Sequence, residues 1–221
     1  MLLSRAQLML HKFCSTDETR PNLQGIQFRA NGVAAATDGH RLGRLASEDI
    51  ARSRDKKSGF TINYPYPKEW GPVPIPKEGI VLPAKQIAEV LKALPKKVTP
   101  GTHHSAADYA LLEKIDGKIA TVSVTDGAST RRFEMEIIDQ PFPDYEQVIP
   151  KAEPAFQIGF NLRYVEDMLK AIAATLPNPA VPGITNQVTW SFNGQTGAST
   201  MIAKNDGEEL LCLLMPLRIT D

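Results

Sequence analysis

One pattern recurs along these 221 residues and restricts the folds open to them. A short apolar strand leads into an amphipathic helix, and three strands follow. The order reads three times, and an internal repeat says more about architecture than any single motif. In the first copy a helix is expected over 2–13, with Leu3, Ala6, Leu10 and Phe13 on one face and Arg5 and Lys12 off it. Strands follow near 25–30, 33–37 and 42–46, the first pair joined by an Asn31-Gly32 hairpin turn. This copy is expected to lack its opening strand, because the sequence begins at the helix. The second copy opens with a strand over 79–82. Its helix starts at Pro83, a favourable first helical position, and stops before Pro95, with Ile87, Val90, Leu91 and Leu94 as its stripe. Strands run near 109–115, 118–125 and 130–138, turning at Asp116-Gly117 and Asp126-Gly127. The third copy opens with a strand over Phe156–Phe160. Asn161 caps a helix running to about Thr175 with Leu162, Val165, Leu169 and Ile172 inward. Its strands are expected at 187–193, 197–203 and 208–218, turning at Asn193-Gly194 and Asn205-Asp206-Gly207. Alternation of apolar and polar residues, as in Val188, Trp190 and Phe192, marks half-buried antiparallel sheet. The fold class is α+β: antiparallel sheets covered on one face by helices.

Composition narrows the function. Lys plus Arg and Asp plus Glu both number 25, so any nucleic-acid contact must come from a local basic face. The helices offer such a face. Their apolar stripes turn inward, and basic residues lie opposite in all three copies. A row of this kind suits a phosphate backbone read without base specificity. The candidates are Arg5, Lys12, Lys85, Lys92, Lys96, Arg163 and Lys170, with Arg20 nearby. The bland alternative is a solvated helix surface. Cys14 and Cys212 read as separate buried thiols, and no CxxC pair suggests zinc. Met1 to Phe13 is interrupted by Ser4, Arg5, Gln7, His11 and Lys12, so neither a signal peptide nor a membrane span is expected. The cytoplasm is the expected location. Residues 48–78 break the pattern. A basic cluster (Arg52, Arg54, Lys56, Lys57) precedes five prolines mixed with Tyr64, Tyr66 and Trp70, which reads as a long surface loop.

The stretch Ala35-Ala36-Thr37-Asp38-Gly39-His40-Arg41-Leu42 falls where one strand ends and the next begins. Locally it reads as a turn in which Asp38 bonds the backbone and Gly39 supplies a positive φ. Such a strand junction is also a good place for a binding surface.

Four stretches together resemble the bacterial sliding clamp, the beta subunit of DNA polymerase III. They are Asn22-Leu23-Gln24-Gly25-Ile26 through Ala36-Thr37-Asp38-Gly39-His40-Arg41-Leu42; Phe142 to Lys151; Ile158 to Val165 with its helix; and the tail Leu213-Leu214-Met215-Pro216-Leu217-Arg218-Ile219. They occur in the family's order on the same repeat. The resemblance implies that 1–150 corresponds to a complete middle domain carrying the inserted loop, and 151–221 to the second half of the last domain. The family's first domain and the first half of its last are expected to be missing. It also implies a hydrophobic pocket for short linear peptides of polymerases and other clamp clients. Carried over by motif, that pocket comprises Leu23, Thr37, Gly39, His40, Arg41, Leu42, Pro143, Gln147, Val148, Tyr164, Leu213, Leu214, Met215, Pro216, Leu217 and Arg218. Gln147 stands where the family usually has arginine, which removes a charge from the rim.

What the resemblance implies is a non-enzymatic replication or repair accessory protein, a processivity factor without a cofactor. It would bind client proteins by linear motifs, on double-stranded DNA as an oligomeric ring. Four copies of a three-unit chain would supply the twelve units of a family ring. A second reading keeps the pocket and drops the DNA, as a decoy or adaptor for clamp clients. An enzyme would need Asp38 and His40 to converge with His103-His104, and no metal-ligand or acid-base spacing recurs.

Overall fold

The computed structural model describes residues 1–46, 73–95, 109–126, 128–175, 188–204 and 209–217. The chain forms two compact units, Met1–Val148 and Ile149–Asp221. The basic cluster and most of the proline-rich loop, together with Lys96, His103, His104 and Arg218, lie outside the described residues. The end of that loop is described, and Val73 and Ile75 pack against the core of the first unit.

The first unit begins with β1 (Leu2–Ser4), so the first copy does have its opening strand. Helix α1 (Arg5–Leu8) follows and tightens into a 3-10 turn over Met9–Phe13. The break at Ser4 has a local cause. Ser4 sits in extended geometry, its Oγ accepts from the Gln7 amide at 3.1 Å, and Gln7 Oε1 accepts from the Ser4 amide at 2.8 Å. This is a reciprocal cap, and the Ser-Arg-Ala-Gln spacing that encodes it was readable. A three-residue strand is too short to show period-two alternation, so the helical pattern hid it.

The unit continues with β2 (Gly25–Phe28), β3 (Val33–Thr37), β4 (Leu42–Ala46), β5 (Ile80–Pro83), α2 (Ala84–Ala93), β6 (Tyr109–Asp116), β7 (Ile119–Thr125) and β8 (Thr130–Glu136). The two halves exchange their opening strands. β1 pairs antiparallel with β6, setting Leu3 opposite Ala110, and β5 pairs antiparallel with β2, setting Leu82 opposite Ile26. The sheets therefore run β1-β6-β7-β8 and β4-β3-β2-β5. On its other edge β5 is held by its own half, where the Ile138 amide donates to the Val81 carbonyl at 3.0 Å. The two helical segments pack on each other. One cluster joins Leu3, Leu8, Ile26, Phe28, Leu82, Ile87, Val90, Leu112, Val122 and Met135, all fully or nearly fully buried. Full burial of a side chain of this size is worth about 1.5–3 kcal/mol. Neither half could supply such a core alone.

The second unit holds α3 (Leu162–Thr175) over a sheet of β9 (Thr189–Ser191), β10 (Ser199–Lys204) and β11 (Glu209–Leu214), in the order β11-β10-β9. Its buried core is small: Ile172, Met201 and Ala203, flanked by Met168, Val188, Trp190, Leu210 and Cys212. Two expectations fail here. Residues 156–160 form no strand, only a single bridge from Gly159 to Leu217. Leu162 and Leu169, read as inward, are 78% and 46% exposed. Both have one reason. In the first unit an opening strand and the flank of a helix are covered by the other half, and the described residues of the second unit contain one half.

Candidate functional site

The β3–β4 junction is a tightly bonded turn. Thr37 Oγ1 accepts from the Gly39 amide at 3.1 Å and donates to the Arg41 carbonyl at 2.8 Å. Asp38 Oδ1 accepts from the amides of His40 at 2.9 Å and Arg41 at 3.0 Å, and Asp38 Oδ2 pairs with Arg41 Nε at 2.9 Å. Gly39 has φ +94°, a left-handed conformation in which a side chain would be strained. Partial burial of Asp38 raises its pKa, but the His40 and Arg41 amides and the Arg41 guanidinium outweigh it and hold the carboxyl at about 2. Arg41 also ties the turn to the end of the first helical segment. Its Nη2 donates to the Lys12 carbonyl at 2.9 Å, and its guanidinium lies 5.5 Å from the centre of the Phe13 ring. His40 and Arg41 are exposed at the tip, and Leu42 is half-buried beneath them.

The loop before β2 links this turn to the second motif stretch. Arg20 pairs with Asp17 at 2.9 Å, and its Nη1 would stand 3.3 Å from a Cβ placed on Gly39. Asn22 Nδ2 donates to the Pro141 carbonyl at 3.3 Å. Leu23, next along the loop, is buried, its carbonyl accepting from the Ser15 amide at 2.8 Å. Further along, Tyr145 is buried with Arg29 over its ring at 5.2 Å, and Arg29 bonds Glu146 at 2.7 Å. Pro143 is half-buried, Gln147 is exposed with Nε2 on Asp144 Oδ2 at 2.8 Å, and Val148 is 72% exposed. Within the first unit, then, Arg20 lies beside the Gly39 turn, Leu23 follows in the same loop, and Asn22 bonds the Pro141 carbonyl just before the Phe142–Lys151 stretch.

The other candidates lie in the second unit. Tyr164 is exposed on the first turn of α3. Leu214 is buried at the end of β11, while Leu213, Met215 and Leu217 are 60%, 59% and 53% exposed, and Pro216 is half-buried. Leu217 donates its amide to the Gly159 carbonyl at 2.8 Å.

The helix cations are less free than their spacing suggests. Lys92 bonds Glu89 and Lys170 bonds Glu166, each at 2.8 Å. Each lysine holds its glutamate's carboxyl below the usual range, by hydrogen bond first and charge second. Arg5 donates to the Pro95 carbonyl at 2.8 Å, just beyond the end of α2. Lys12, Lys85 and Arg163 are exposed.

A cavity of about 750 Å³ borders the same loop before β2 in the first unit, lined by Pro21 and Gln24 and by residues from 11–16, 83–88 and 136–140. Of the sequence candidates only Lys85 lines it. Its walls come from segments remote in sequence, and Gln24 alone belongs to one of the four motif stretches, so local spacing did not signal the cavity. Among the described residues no three or more His, Cys, Asp and Glu side chains group so as to hold a metal ion. No described helix is long and apolar enough to cross a membrane.

No protein-family model and no curated protein matches the sequence. The structure is similar to the crystal structure of a "Putative DNA polymerase III beta subunit" from Eubacterium rectale ATCC 33656, with a TM-score of 0.62 at 12% identity. The match covers 98% of this chain and 50% of that one, so this chain spans half the length of its structural neighbour. At that identity the likeness establishes the fold, a clamp-like arrangement of antiparallel sheets and helices.

Proposed function

We propose that this protein is a clamp-like replication or repair accessory protein, without catalytic activity, that binds linear peptide motifs of polymerases and other clamp clients. The fold-level match to a protein described as a polymerase III beta subunit carries the reading. The motif residues add to it. Asp38 and the Lys12 carbonyl both hold Arg41, so it forms a fixed polar edge on the turn, and Arg20 lies beside Gly39. Val148 and the tail residues Leu213, Met215 and Leu217 are exposed apolar side chains of the kind that receive client leucine and aromatic groups.

A specific observation favours the form of this reading in which clients are bound without DNA. Lys92 and Lys170, two of the helix cations, are each paired with a glutamate one turn away. The net charge of the whole chain is zero, which adds no long-range attraction for a polyanion.

The test is fluorescence anisotropy with a labelled clamp-client peptide titrated into the full chain, beside a labelled duplex at two salt concentrations. Saturable peptide uptake that Val148→Asp and Leu217→Asp each weaken at least tenfold is expected. Absence of uptake would remove the peptide-binding role. Duplex binding that falls steeply with salt, and falls again in Lys85→Ala/Lys12→Ala, would restore DNA to the assignment.

A further inference from the structure

The first unit shows how two halves of this fold complete each other, and the second unit repeats one half with its joining surfaces open. Three features coincide there. The opening segment is held as β5 is held. Val81, three residues before α2, accepts from the Ile138 amide just past β8, and Gly159, three residues before α3, accepts from the Leu217 amide just past β11. In the first unit the opposite edge of that strand pairs with the leading strand of the other half, β2. Here the leading strand is β9, an edge of its sheet, with pairing on the β10 side alone among the described residues. Finally, Leu162 and Leu169 stand at the same distances from the start of α3 as Ala84 and Leu91 from the start of α2. Ala84 and Leu91 pack into the shared core, whereas Leu162 and Leu169 are 78% and 46% exposed.

The open surface is largely apolar, and its α3 flank carries one glutamate, Glu166, paired with Lys170. Phe156, Leu162, Leu169 and Phe192 on it are among the strongly exposed large apolar side chains of the described residues. The segments 156–160 (Phe-Gln-Ile-Gly-Phe) and 188–192 (Val-Thr-Trp-Ser-Phe) contain no charge and no proline. They lack the lysines, prolines and inward charges that keep sheet edges from pairing. Phe160 already lies 5.6 Å from Trp190, ring centre to ring centre, within one copy.

We infer that the occupant of this surface is a second copy of the same unit. Two copies related by a two-fold axis each add residues 156–160 as a strand to the outer edge of the other's β9, with α3 packed on α3. The exchange is the one that joins β1 to β6 and β5 to β2. One half contributes both the donated strand and the receiving edge, so the contact is self-complementary and closes at two copies. The inference rests on the strand exchange in the first unit and not on peptide binding.

The experiment is multi-angle light scattering on the full chain from 1 to 100 µM, for the wild type and for Leu162→Lys/Leu169→Lys and Ile158→Lys. Leu162 and Leu169 are exposed in a single copy, so that pair of substitutions leaves the unit's own core intact. The wild type is expected at twice the chain mass. Both variants are expected to shift to the monomer, with the dimer dissociation constant raised at least tenfold. Amide exchange at Thr189–Ser191 should be slow in the wild-type dimer and fast in both variants, while exchange in β6 and β7 stays unchanged. A wild-type monomer at 100 µM would overturn the inference. So would a dimer that survives both variants, or one in which Thr189–Ser191 exchange no slower than in the variants. Peptide titration into the same samples separates the two proposals, because uptake by a monomer would leave the function reading standing and remove only this one.

Discussion

Asp38 and Arg41 form one closed bonding unit at the β3–β4 junction: the carboxylate takes the Arg41 amide at 3.0 Å and the Arg41 guanidinium at 2.9 Å. The same guanidinium reaches the Lys12 carbonyl, so a local turn is tied to the first helical segment. Asp38 is held at about 2, below the ordinary carboxylate value near 4. A depressed carboxyl stabilises the fold fully above its unfolded pKa, and that stability is lost as pH falls through the folded value. Asp38→Asn should therefore be less stable than the wild type at pH 7, by about 1 kcal/mol for the weakened bonds. The gap should narrow as pH falls below about 4 and close only below about pH 2, the folded value. Urea midpoints measured down to about pH 1 decide it, and a gap that does not narrow between about pH 4 and pH 1 would refute the account.

Gln7 is almost fully buried and fully engaged. It closes the cap with Ser4, and its Nε2 donates to the Gly32 carbonyl at 2.9 Å, pinning α1 to the β2–β3 turn. Gln7→Leu keeps the volume but leaves the Gly32 carbonyl and the Ser4 amide without this partner. A loss of about 2 kcal/mol is expected from the cap and the orphaned carbonyl together. Chemical denaturation followed by circular dichroism measures it, and a change below 0.5 kcal/mol would show that water replaces the side chain.

Gly43 in β4 is needed for close approach. A Cβ there would stand 2.7 Å from Leu10 Cδ2 and 3.0 Å from the Phe13 ring. Gly43→Ala should cost about 1–3 kcal/mol, the usual range for overpacking a filled core. A thermal melt that matched the wild type would mean Phe13 moves aside freely.

Cys14 is buried beside the same turn. Burial, and secondarily the Asp38 charge, push its thiol up to about 12. At pH 8 only about one thiol in ten thousand is then ionised, and the thiolate is the reactive form. Iodoacetamide should leave Cys14 unmodified in the native protein and modify it after unfolding, as read by peptide mass spectrometry. Rapid native labelling of Cys14 would contradict the burial.

Much of the architecture was legible because it rests on periodicity. The stripe Ile87, Val90 and Leu94 places α2, and the alternation in Ala120, Val122 and Val124 places β7, without reference to the rest of the chain. The Asp38 turn was legible too, since a short carboxylate followed by glycine encodes its own hydrogen bonds. The opening strands were harder. Leu2–Ser4 and Ile80–Pro83 are only three and four residues long, and their partners are remote: Leu3 lies opposite Ala110 and Leu82 opposite Ile26. No local pattern contains that exchange. The fate of Phe156–Phe160 shows the same thing from the other side, because an apolar run becomes a strand only where an edge receives it.

The sequence by itself determined the repeat, the stripe of α2, the turn at Asp38 and the antiparallel character of the sheets, because each depends on residues a few positions apart. Tertiary structure decided which half lends its opening strand to which sheet and which helix flank is covered. It also decided that Lys92 and Lys170 are paired and that Cys14 is buried. Those outcomes depend on what lies across a contact, and side chains that meet across a contact carry no record of each other in linear spacing.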